Sequence, residues 1–368
     1  MRYEMKAWIL HGIGDIRLET VKKPEPGVGE ALVAVKAVGI CGSDIPRIYQ
    51  TGAHVHPLIP GHEFSGVVEA VGDGVSDAWT GRRVGVFPLI PCGECEPCGK
   101  KQYEMCRNYG YTGSRRDGAF AEYVTVPAGN LLELPDSVTF EEAAMLEPMA
   151  VAVHAIRRTV ISGSDTAAVC GLGTIGMLSL MFLLDREEQG VTGGMVAGFP
   201  VLTSEILAVG NKDFQKEISI KLGLPAENYC NSREEDAGEW LARKTLGRGT
   251  DVFFECVGKN ETVSLAAAGA APGGRIVLVG NPGSDMLLKR DVYWKILRNQ
   301  LTLSGTWNSS FTHETGDDWH YVLDRISRKR IAPAKLISHR FPLEELDKGL
   351  EIMRDKSEEY IKIMGTVN

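Results

Sequence analysis

The sequence of 368 residues predicts an α/β protein in which a β-rich domain is interrupted by a doubly wound, parallel-sheet domain. Short apolar or alternating runs separated by Gly and Pro fill residues 5–150. From 151 to about 295, apolar strands alternate with longer helical segments, which is the pattern of βαβ units. Mixed character returns after Leu301. We therefore expect one domain over 1–150, completed by 301–368, and a second domain over 151–300.

The individual elements follow from apolar runs bounded by turn residues. In the β-rich region we predict strands at 31–38, 65–71, 83–86 and 120–126. In the second region we predict strands at 166–170, 205–209, 251–255 and 275–279. A charged amphipathic helix is predicted over 343–354.

Composition and charge exclude several classes of function. The chain is 43% hydrophobic and 24% charged, which are globular values. A net charge of -8 provides no electrostatic footprint for nucleic acid or anionic lipid. No run approaches the roughly 20 apolar residues that span a bilayer. Eight cysteines without a signal-peptide pattern predict a cytoplasmic protein. We therefore expect neither a membrane nor a nucleic-acid partner.

Four cysteines within fifteen residues predict a metal site. Cys92, Cys95, Cys98 and Cys106 have the spacing C-x2-C-x2-C-x7-C, so their thiolates can converge on one tetrahedral cation. An iron–sulfur cluster is the alternative, but ferredoxins place the fourth cysteine three residues on and before proline. Zinc is therefore favoured. A site closed by four thiolates has no open position, so we predict a structural role.

A glycine motif follows the predicted strand 166–170. Residues 171–176 read G-L-G-T-I-G and precede an apolar helical run through Leu184. A G-x-G-x-x-G between strand and helix is the dinucleotide-binding signature of a Rossmann domain, because the glycines allow the turn and the backbone approach to pyrophosphate. The candidate cofactor-binding residues are Gly171, Gly173, Thr174, Ile175 and Gly176.

The acid that usually binds the adenosine ribose of NAD is absent from the second predicted strand. That strand ends in Gly210, Asn211 and Lys212, which we add to the cofactor-binding candidates. Loss of the carboxylate removes repulsion against a 2′-phosphate, and Lys212 is either its attractor or an ordinary solvated lysine. The cofactor is therefore NAD or NADP. The connection at 186–204 is longer and richer in glycine than a tight crossover needs.

An open metal site is suggested by a thiol, an imidazole and carboxylates in the β-rich region. Cys41 is followed by Ser43 and Asp44, and His62 by Glu63. Thiolate, imidazole and carboxylate are the ligand set of a zinc that keeps one coordination position open. Glu147 adds a carboxylate at the predicted domain junction, and Asp44 is a plausible partner for the His62 ring.

These motifs together resemble the zinc-dependent medium-chain dehydrogenases over essentially the whole family pattern. The matching pieces are C-G-S-D at 41–44, G-H-E at 61–63, the four-cysteine lobe, D-G-A-F-A-E-Y at 117–123, E-P-M-A-V at 147–151 and G-L-G-T-I-G at 171–176. The resemblance implies a GroES-like catalytic domain plus a Rossmann domain, hydride transfer to NAD(P), and assembly as a homodimer or homotetramer. By analogy, residues 280–289 would form the paired sheet edge of that assembly.

The resemblance also implies roles for individual residues. Cys41 and His62 match catalytic-zinc ligands, and Glu63 and Glu147 match carboxylates that bind that zinc or hold its water. The four lobe cysteines match structural-zinc ligands, so two Zn²⁺ per chain are expected. Ser43 matches the hydroxyl that relays the substrate proton, whereas Pro46 stands where many alcohol dehydrogenases have a relay histidine.

The substrate expectation rests on three short segments. C-G-S-D-I-P-R-I-Y at 41–49, G-A-H at 52–54 and S-R-R-D-G at 114–118 are similar to members that act on a polyol phosphate. Arg47, Arg115 and Arg116 are then candidates for binding the phosphate, because guanidinium forks match its oxygens, or they are ordinary surface charges. The alternatives are an unphosphorylated polyol, an L-threonine-type substrate, or a non-catalytic nucleotide-binding relative.

Overall fold

A computed structural model describes residues 3–185 and 205–368, so the connection at 186–204 lies outside the described residues. The chain forms two compact units. Unit 1 comprises Met1–Pro148 and Ser310–Asn368, and unit 2 comprises Met149–Ser309. The boundary expected at 300 therefore lies nine residues before the end of unit 2, because a further strand pairs with the sheet of that unit.

The described residues contain seventeen strands, numbered in chain order. They are β1 (Glu4–Gly12), β2 (Asp15–Lys22), β3 (Glu30–Ile40), β4 (Glu63–Val71), β5 (Arg83–Val86), β6 (Leu89–Ile90), β7 (Gly110–Tyr111), β8 (Tyr123–Pro127), β9 (Leu131–Glu133), β10 (Thr166–Cys170), β11 (Glu205–Gly210), β12 (Tyr229–Asn231), β13 (Thr250–Glu255), β14 (Ala270–Leu278), β15 (Thr302–Gly305), β16 (Ile337–Pro342) and β17 (Lys362–Thr366).

The same residues contain eleven α-helices. They are α1 (Asp44–Tyr49), α2 (Glu96–Gly99), α3 (Phe140–Ala144), α4 (Leu146–Arg157), α5 (Thr174–Leu184), α6 (Asp213–Lys221), α7 (Ala237–Lys244), α8 (Asn260–Gly269), α9 (Arg290–Arg298), α10 (Asp318–Ser327) and α11 (Leu346–Asp355). No helix among the described residues is long and apolar enough to cross a bilayer.

Unit 1 is built on a seven-stranded β-sheet. Its strand order is β16-β17-β3-β4-β5-β9, and β8 also pairs with β3. The central strand β3 is buried along most of its length, as its apolar run predicts. β17 and β4 lie on either side of β3, so the C-terminal strand and the strand that begins at Glu63 reach the same end of β3. That end leads directly into Cys41.

One predicted strand of unit 1 begins later than its apolar pattern indicates. The pattern predicted 120–126, whereas β8 begins at Tyr123. Residues 118–120 instead donate backbone hydrogen bonds to the carbonyls of 59–61, the segment that precedes His62. The strand-like pattern at 118–120 therefore reflects backbone hydrogen bonds to the loop 59–61 and not to a strand, and this loop positions His62.

Unit 2 is an all-parallel, doubly wound sheet. Its order is β12-β11-β10-β13-β14-β15, with parallel pairing at every step. The strand order reverses beside β10, because β11 and β12 lie on one side of it and β13, β14 and β15 on the other. Sheets of this topology bind ligands at that point. The four strands predicted here coincide with β10, β11, β13 and β14.

The expected edge strand at 280–289 is wrong. The structure places no strand at these residues, and β15 (Thr302–Gly305) is the outer strand on that side of the sheet. The expectation rested on analogy alone, and in this chain residues 280–289 belong to the connection between β14 and α9. Assembly as a homodimer or homotetramer stays a prediction.

Candidate active site

The four-cysteine lobe brings its sulfurs into one cluster. The segment 92–106 holds them, and its helix α2 carries Cys98. The backbone N–H of Cys92 points to Cys106 Sγ at 3.2 Å. Sulfur separations of 3.4 Å for Cys95–Cys98 and 3.9 Å for both Cys92–Cys98 and Cys95–Cys106 are far too long for disulfides. Four thiolates about 2.3 Å from a tetrahedral zinc would lie about 3.8 Å apart. The lobe therefore fits one closed zinc.

The electrostatics of the lobe also suit a cation. Backbone N–H groups of Arg107 and Cys98 lower the pKa of Cys95 to about 6. Backbone N–H groups of Glu94 and Cys95 lower the pKa of Cys92. Burial, by contrast, raises the pKa of Cys98 to about 12. Such a mixed cluster becomes four thiolates only when a metal offsets the burial of the inner sulfur.

A second cluster combines Cys41, His62 and Glu63. Their ligand atoms all lie within 4.8 Å of one another. Cys41 follows β3, His62 precedes β4, and Glu63 opens β4 opposite Gly39, so the pairing of two neighbouring strands brings the three together. His62 and Glu63 are buried at 3% and 1% exposure. One thiol, one imidazole and one carboxylate leave the fourth position of a tetrahedral metal open.

Asp44 sits beneath this cluster and organises it. Its Oδ2 accepts the backbone N–H of Cys41 at 3.0 Å. Its Oδ1 lies 3.6 Å from His62 Nδ1 and forms a buried salt bridge with Arg47. His62 Nδ1 is buried and has no hydrogen-bond partner among the described residues. The ring thus turns Nδ1 towards a carboxylate and leaves Nε2 for a metal.

The electrostatics of the cluster disfavour a free thiolate at Cys41. Burial and the carboxylates of Glu63 and Asp44 raise the pKa of Cys41. A thiolate next to two carboxylates is unfavourable without a compensating charge, and a divalent metal reverses that balance. Ser43 Oγ donates to Cys41 Sγ at 3.3 Å, which places a hydroxyl next to the same sulfur.

Glu147 lies outside the group of three and has a partner that its sequence motif did not indicate. Tyr111 donates its hydroxyl to Glu147 Oε1 at 3.1 Å, and its ring packs edge-on against His62 with 5.7 Å between centroids. Burial raises the pKa of Glu147 to about 7, with Glu63 acting in the same direction. Burial also raises the pKa of Tyr111 well above its ordinary value. Glu147 thus lies beside the His62 ring through Tyr111 and is not one of the three groups whose ligand atoms lie within 4.8 Å of one another.

Lys362 is a second residue that sequence reasoning missed. Its ammonium, on β17 and only 2% exposed, forms a salt bridge with Glu63 and donates to Ile40 O at 3.0 Å. It therefore holds both a candidate ligand and the carbonyl that precedes Cys41. No local motif marks this lysine, since 299 residues separate it from Glu63.

The three candidate phosphate-binding arginines have different environments. Arg47 is committed to buried Asp44. Arg116 donates to Glu30 and to Thr125, which are at the opposite end of β3 from Cys41. Arg115 is exposed and stacks over the Tyr109 ring at 4.7 Å. Of the three, Arg116 is thus paired with a carboxylate at the end of β3 away from Cys41, and its part in phosphate binding stays a prediction.

The dinucleotide motif of unit 2 has the geometry that its function requires. Gly171 leaves β10 with φ of 93°, and α5 begins at Thr174. A Cβ at Gly176 would collide with the Gly171 carbonyl, so the helix approaches the turn as closely as the motif predicts. Gly173 is exposed, and Thr174 and Ile175 open the helix whose free N–H groups can bind phosphate.

Comparison with known proteins matches both units. The alcohol dehydrogenase GroES-like domain matches residues 27–136, and the zinc-binding dehydrogenase domain matches residues 197–328. Galactitol 1-phosphate 5-dehydrogenase of Escherichia coli K12 is 34% identical over 86% of this chain and 86% of its own length. The chain belongs to the zinc-dependent medium-chain dehydrogenase family.

Other relatives are nearly as similar. L-threonine 3-dehydrogenase of Bacillus subtilis is 33% identical over 92% of this chain and 91% of that protein. Sorbitol dehydrogenase of the same organism is 29% identical over 98% and 96%. These identities leave the substrate of this dehydrogenase unresolved within the family.

Solved structures agree with the fold. Galactitol-1-phosphate dehydrogenase from Escherichia coli superposes with a TM-score of 0.87 at 30% identity, covering 98% of this chain and 100% of that chain. A zinc-binding dehydrogenase from Sinorhizobium meliloti 1021 bound to NADP gives 0.86 at 27% identity, covering 99% and 100%. The predicted GroES-like and Rossmann domains are thereby confirmed.

Family membership makes this medium-chain dehydrogenase a zinc-dependent oxidoreductase that acts on alcohols with NAD or NADP. The four-thiolate lobe could hold a structural zinc, and Cys41, His62 and Glu63 could hold a catalytic zinc. The sequence motifs thus pointed to groups that the fold does assemble, although Glu147 stands apart from the other three.

Replacing Lys362 with methionine in this dehydrogenase is expected to destabilise unit 1 by about 3–5 kcal/mol, because Glu63 would remain buried without its cation. Urea unfolding of the wild type and the variant measures the effect, with both proteins freed of zinc by a chelator so that no metal offsets the charge of Glu63. Lys348→Met is the matched control, since its salt bridge with Glu345 is exposed and should contribute less than about 1 kcal/mol. Equal unfolding midpoints for the two variants would show that Lys362 does not stabilise Glu63.

Proposed function

We propose that this dehydrogenase oxidises a secondary alcohol of a polyol phosphate of the galactitol 1-phosphate type and passes the hydride to NAD(P)⁺. Cys41, His62 and Glu63 would hold the catalytic zinc, and Glu147 would hold its water or the substrate hydroxyl. Cys92, Cys95, Cys98 and Cys106 would hold the structural zinc. The observation that carries the substrate proposal is the position of Arg115.

Arg115 belongs to a row of rings that leads to the metal cluster. Its guanidinium stacks on Tyr109, whose ring centroid is 6.2 Å from that of Tyr111. Tyr111 contacts His62 and donates to Glu147. Among residues 3–185 and 205–368, no carboxylate pairs with Arg115, so an exposed cation is held at the outer end of this row. We assign the phosphate on one end of the polyol to this guanidinium and the hydroxyl that is oxidised to the cluster.

The other two candidate arginines already have anionic partners inside unit 1. Arg47 neutralises Asp44, and Arg116 neutralises Glu30. Recruiting either guanidinium to a substrate would leave a carboxylate unpaired, and in the case of Asp44 that carboxylate is fully buried. Arg115 is therefore the arginine to which we assign phosphate recognition.

The chemistry follows from the groups around Cys41. When bound, zinc supplies the Lewis acidity that lowers the pKa of the alcohol hydroxyl. The carbinol carbon loses its hydride to the nicotinamide ring, the hydroxyl loses its proton, and a ketone remains. Ser43 Oγ, 3.3 Å from Cys41 Sγ, is the hydroxyl to which we assign proton transfer, since Pro46 cannot carry a proton. Glu147, oriented by Tyr111, positions the polyol beside it.

Activity assays with galactitol 1-phosphate, galactitol and sorbitol test the substrate proposal. The wild type should turn over the phosphorylated substrate with the highest kcat/KM. Arg115→Met should raise the KM for galactitol 1-phosphate about tenfold or more, because one charge-assisted contact contributes about 1.5–3 kcal/mol. The KM for galactitol should not change.

Arg82→Met is the matched control, because Arg82 is an exposed arginine of unit 1 paired with Glu133. It should alter neither substrate. Equal kcat/KM for galactitol 1-phosphate and galactitol in the wild type would reject the phosphate and favour an unphosphorylated polyol. Turnover of L-threonine alone would favour the threonine-type alternative. Absence of binding by either NADH or NADPH would instead indicate a non-catalytic relative.

A further inference from the structure

The loop after β11 is tied directly to the dinucleotide turn of unit 2. The Gly171 N–H donates to Val209 O at 3.0 Å. Gln215 Nε2 donates to Leu172 O at 3.0 Å, and Gln215 Oε1 accepts the Asn211 N–H at 3.1 Å. Because the end of the second Rossmann strand is where the adenosine ribose is bound, residues 210–212 form the wall of that subsite.

A carboxylate cannot occupy this wall at position 210. A Cβ at Gly210 would lie 2.8 Å from Gln215 Oε1 and closer still to the Tyr229 hydroxyl. Moving either atom costs a hydrogen bond, because Tyr229 donates to Lys212 O at 2.8 Å and Gln215 donates to Leu172 O at 3.0 Å. Both side chains are buried, at 4% and 8% exposure. Tyr229 and Gln215 therefore keep residue 210 a glycine and exclude the acid that binds the 2′-hydroxyl of NAD.

Positive charge and hydrogen-bond donors surround the same position. Lys212 follows Gly210 by two residues, with its Nζ 5.2 Å from the Phe214 ring centre. Across the β11–β12 pair, the Ser232 N–H donates to Gly210 O at 2.9 Å, which places Arg233 one residue from the wall. Lys212 and Arg233 have no ion-pair partner within the described ranges 3–185 and 205–368. Ser232 and Arg233 are exposed.

Two carboxylates near these cations weaken the positive charge at the wall. Asp213 begins α6, and its Oδ1 accepts Asn231 Nδ2 at 3.1 Å, a neutral donor that fixes the carboxylate without neutralising it. Glu234 is exposed next to Arg233, whereas Glu235 is paired with Arg243 on α7. Selection at the wall therefore rests on Lys212 and Arg233 as donors to a phosphate and on the exclusion of an acid at position 210.

From this arrangement we infer that the dehydrogenase selects NADP(H) over NAD(H), with Lys212 and Arg233 binding the 2′-phosphate. Tyr229 and Gln215 act as positioning residues that exclude the competing carboxylate. The inference concerns unit 2 alone and does not depend on which alcohol is oxidised. A cation pair facing a phosphate favours NADPH, whereas NADH offers only a hydroxyl to the same groups.

Calorimetric titration of the zinc-loaded enzyme with NADPH and with NADH, in the absence of alcohol, tests the inference. The Kd for NADPH should be at least about tenfold lower, and the difference should shrink as salt is raised. Lys212→Met and Arg233→Met should each raise the Kd for NADPH about tenfold and leave that for NADH unchanged. Lys221→Met, an exposed lysine at the other end of α6, should change neither.

Equal or tighter binding of NADH by the wild type would overturn the inference. So would loss of affinity for both dinucleotides in equal measure in Lys212→Met and Arg233→Met. Because no alcohol is present, failure of the galactitol 1-phosphate proposal would leave these titrations unaffected.

A second pair of variants tests the exclusion by Tyr229. Gly210→Asp alone should lower the melting temperature and bind NADH no better, because Tyr229 and Gln215 occupy the space. Gly210→Asp combined with Tyr229→Val should recover NADH affinity and lose NADPH affinity. Improved NADH binding by the single variant, without loss of stability, would show that Tyr229 does not exclude the acid.

Discussion

Cys41→Ser is expected to lower kcat by on the order of a thousandfold or more while the protein remains folded. Cys41 is one of three ligand-bearing groups within 4.8 Å, and serine is a poor replacement for a thiolate on zinc. Losing the metal removes the Lewis acid that lowers the alcohol pKa, which contributes several kcal/mol to the rate. The sulfur is also the acceptor for Ser43 Oγ, so the proposed proton path is disturbed as well.

Turnover and zinc content measured on the same preparation check this expectation. The variant should retain one zinc per chain, held by the lobe, and its melting temperature should stay near that of the wild type. Cys230→Ser is the matched control, because Cys230 is a buried thiol of β12 outside both clusters. It should keep two zincs and turnover. Wild-type activity from Cys41→Ser with one zinc per chain would refute the assignment.

Cys98→Ser is expected to destabilise unit 1 by about 4 kcal/mol and to remove the other zinc. Cys98 is the thiol carried by α2, it is buried at 6% exposure, and it contacts the sulfurs of both Cys92 and Cys95. Burying a hydroxyl among three remaining thiols adds an unsatisfied polar group to the loss of a ligand. Because structural zinc binding contributes directly to folding, loss of the metal falls among the large destabilising mechanisms.

Denaturant unfolding and zinc counting measure this effect. Cys98→Ser should contain one zinc per chain, and adding a chelator should shift its unfolding midpoint less than that of the wild type. The same Cys230→Ser variant serves for comparison, since it also places a serine hydroxyl in a buried site. Two zincs and an unchanged midpoint in Cys98→Ser would show that the lobe closes without its fourth ligand.

The features that could be predicted are those whose chemistry depends on local spacing. The turn at 171–176 needs only a strand, three glycines and a helix in succession, and the structure places β10 and α5 around it. The cysteine lobe likewise closes within fifteen residues, so its convergence follows from chain geometry. Strand boundaries were less predictable where backbone pairs with a loop, as at 118–120.

The partners of these motifs could not be predicted, because they come from distant parts of the chain. Lys362 reaches Glu63 only because β17 and β4 flank β3. Tyr111 reaches Glu147 across 36 residues of sequence. Nothing local distinguishes Arg115 from Arg116, yet Glu30 holds one and Tyr109 supports the other.

The sequence by itself determined the family, the two metal-binding motifs and the dinucleotide turn, because each is encoded in contiguous residues whose types carry the chemistry. Tertiary structure alone decided which lysines and arginines pair with carboxylates of the protein and which remain available to a ligand. Buried carboxylates must be paired, so Asp44 takes Arg47 from its own helix and Glu63 takes Lys362 from β17, while the partly exposed Glu30 pairs with Arg116. Our proposals assign substrate specificity to Arg115 in unit 1 and cofactor specificity to Lys212 and Arg233 in unit 2, none of which has a carboxylate partner within residues 3–185 and 205–368.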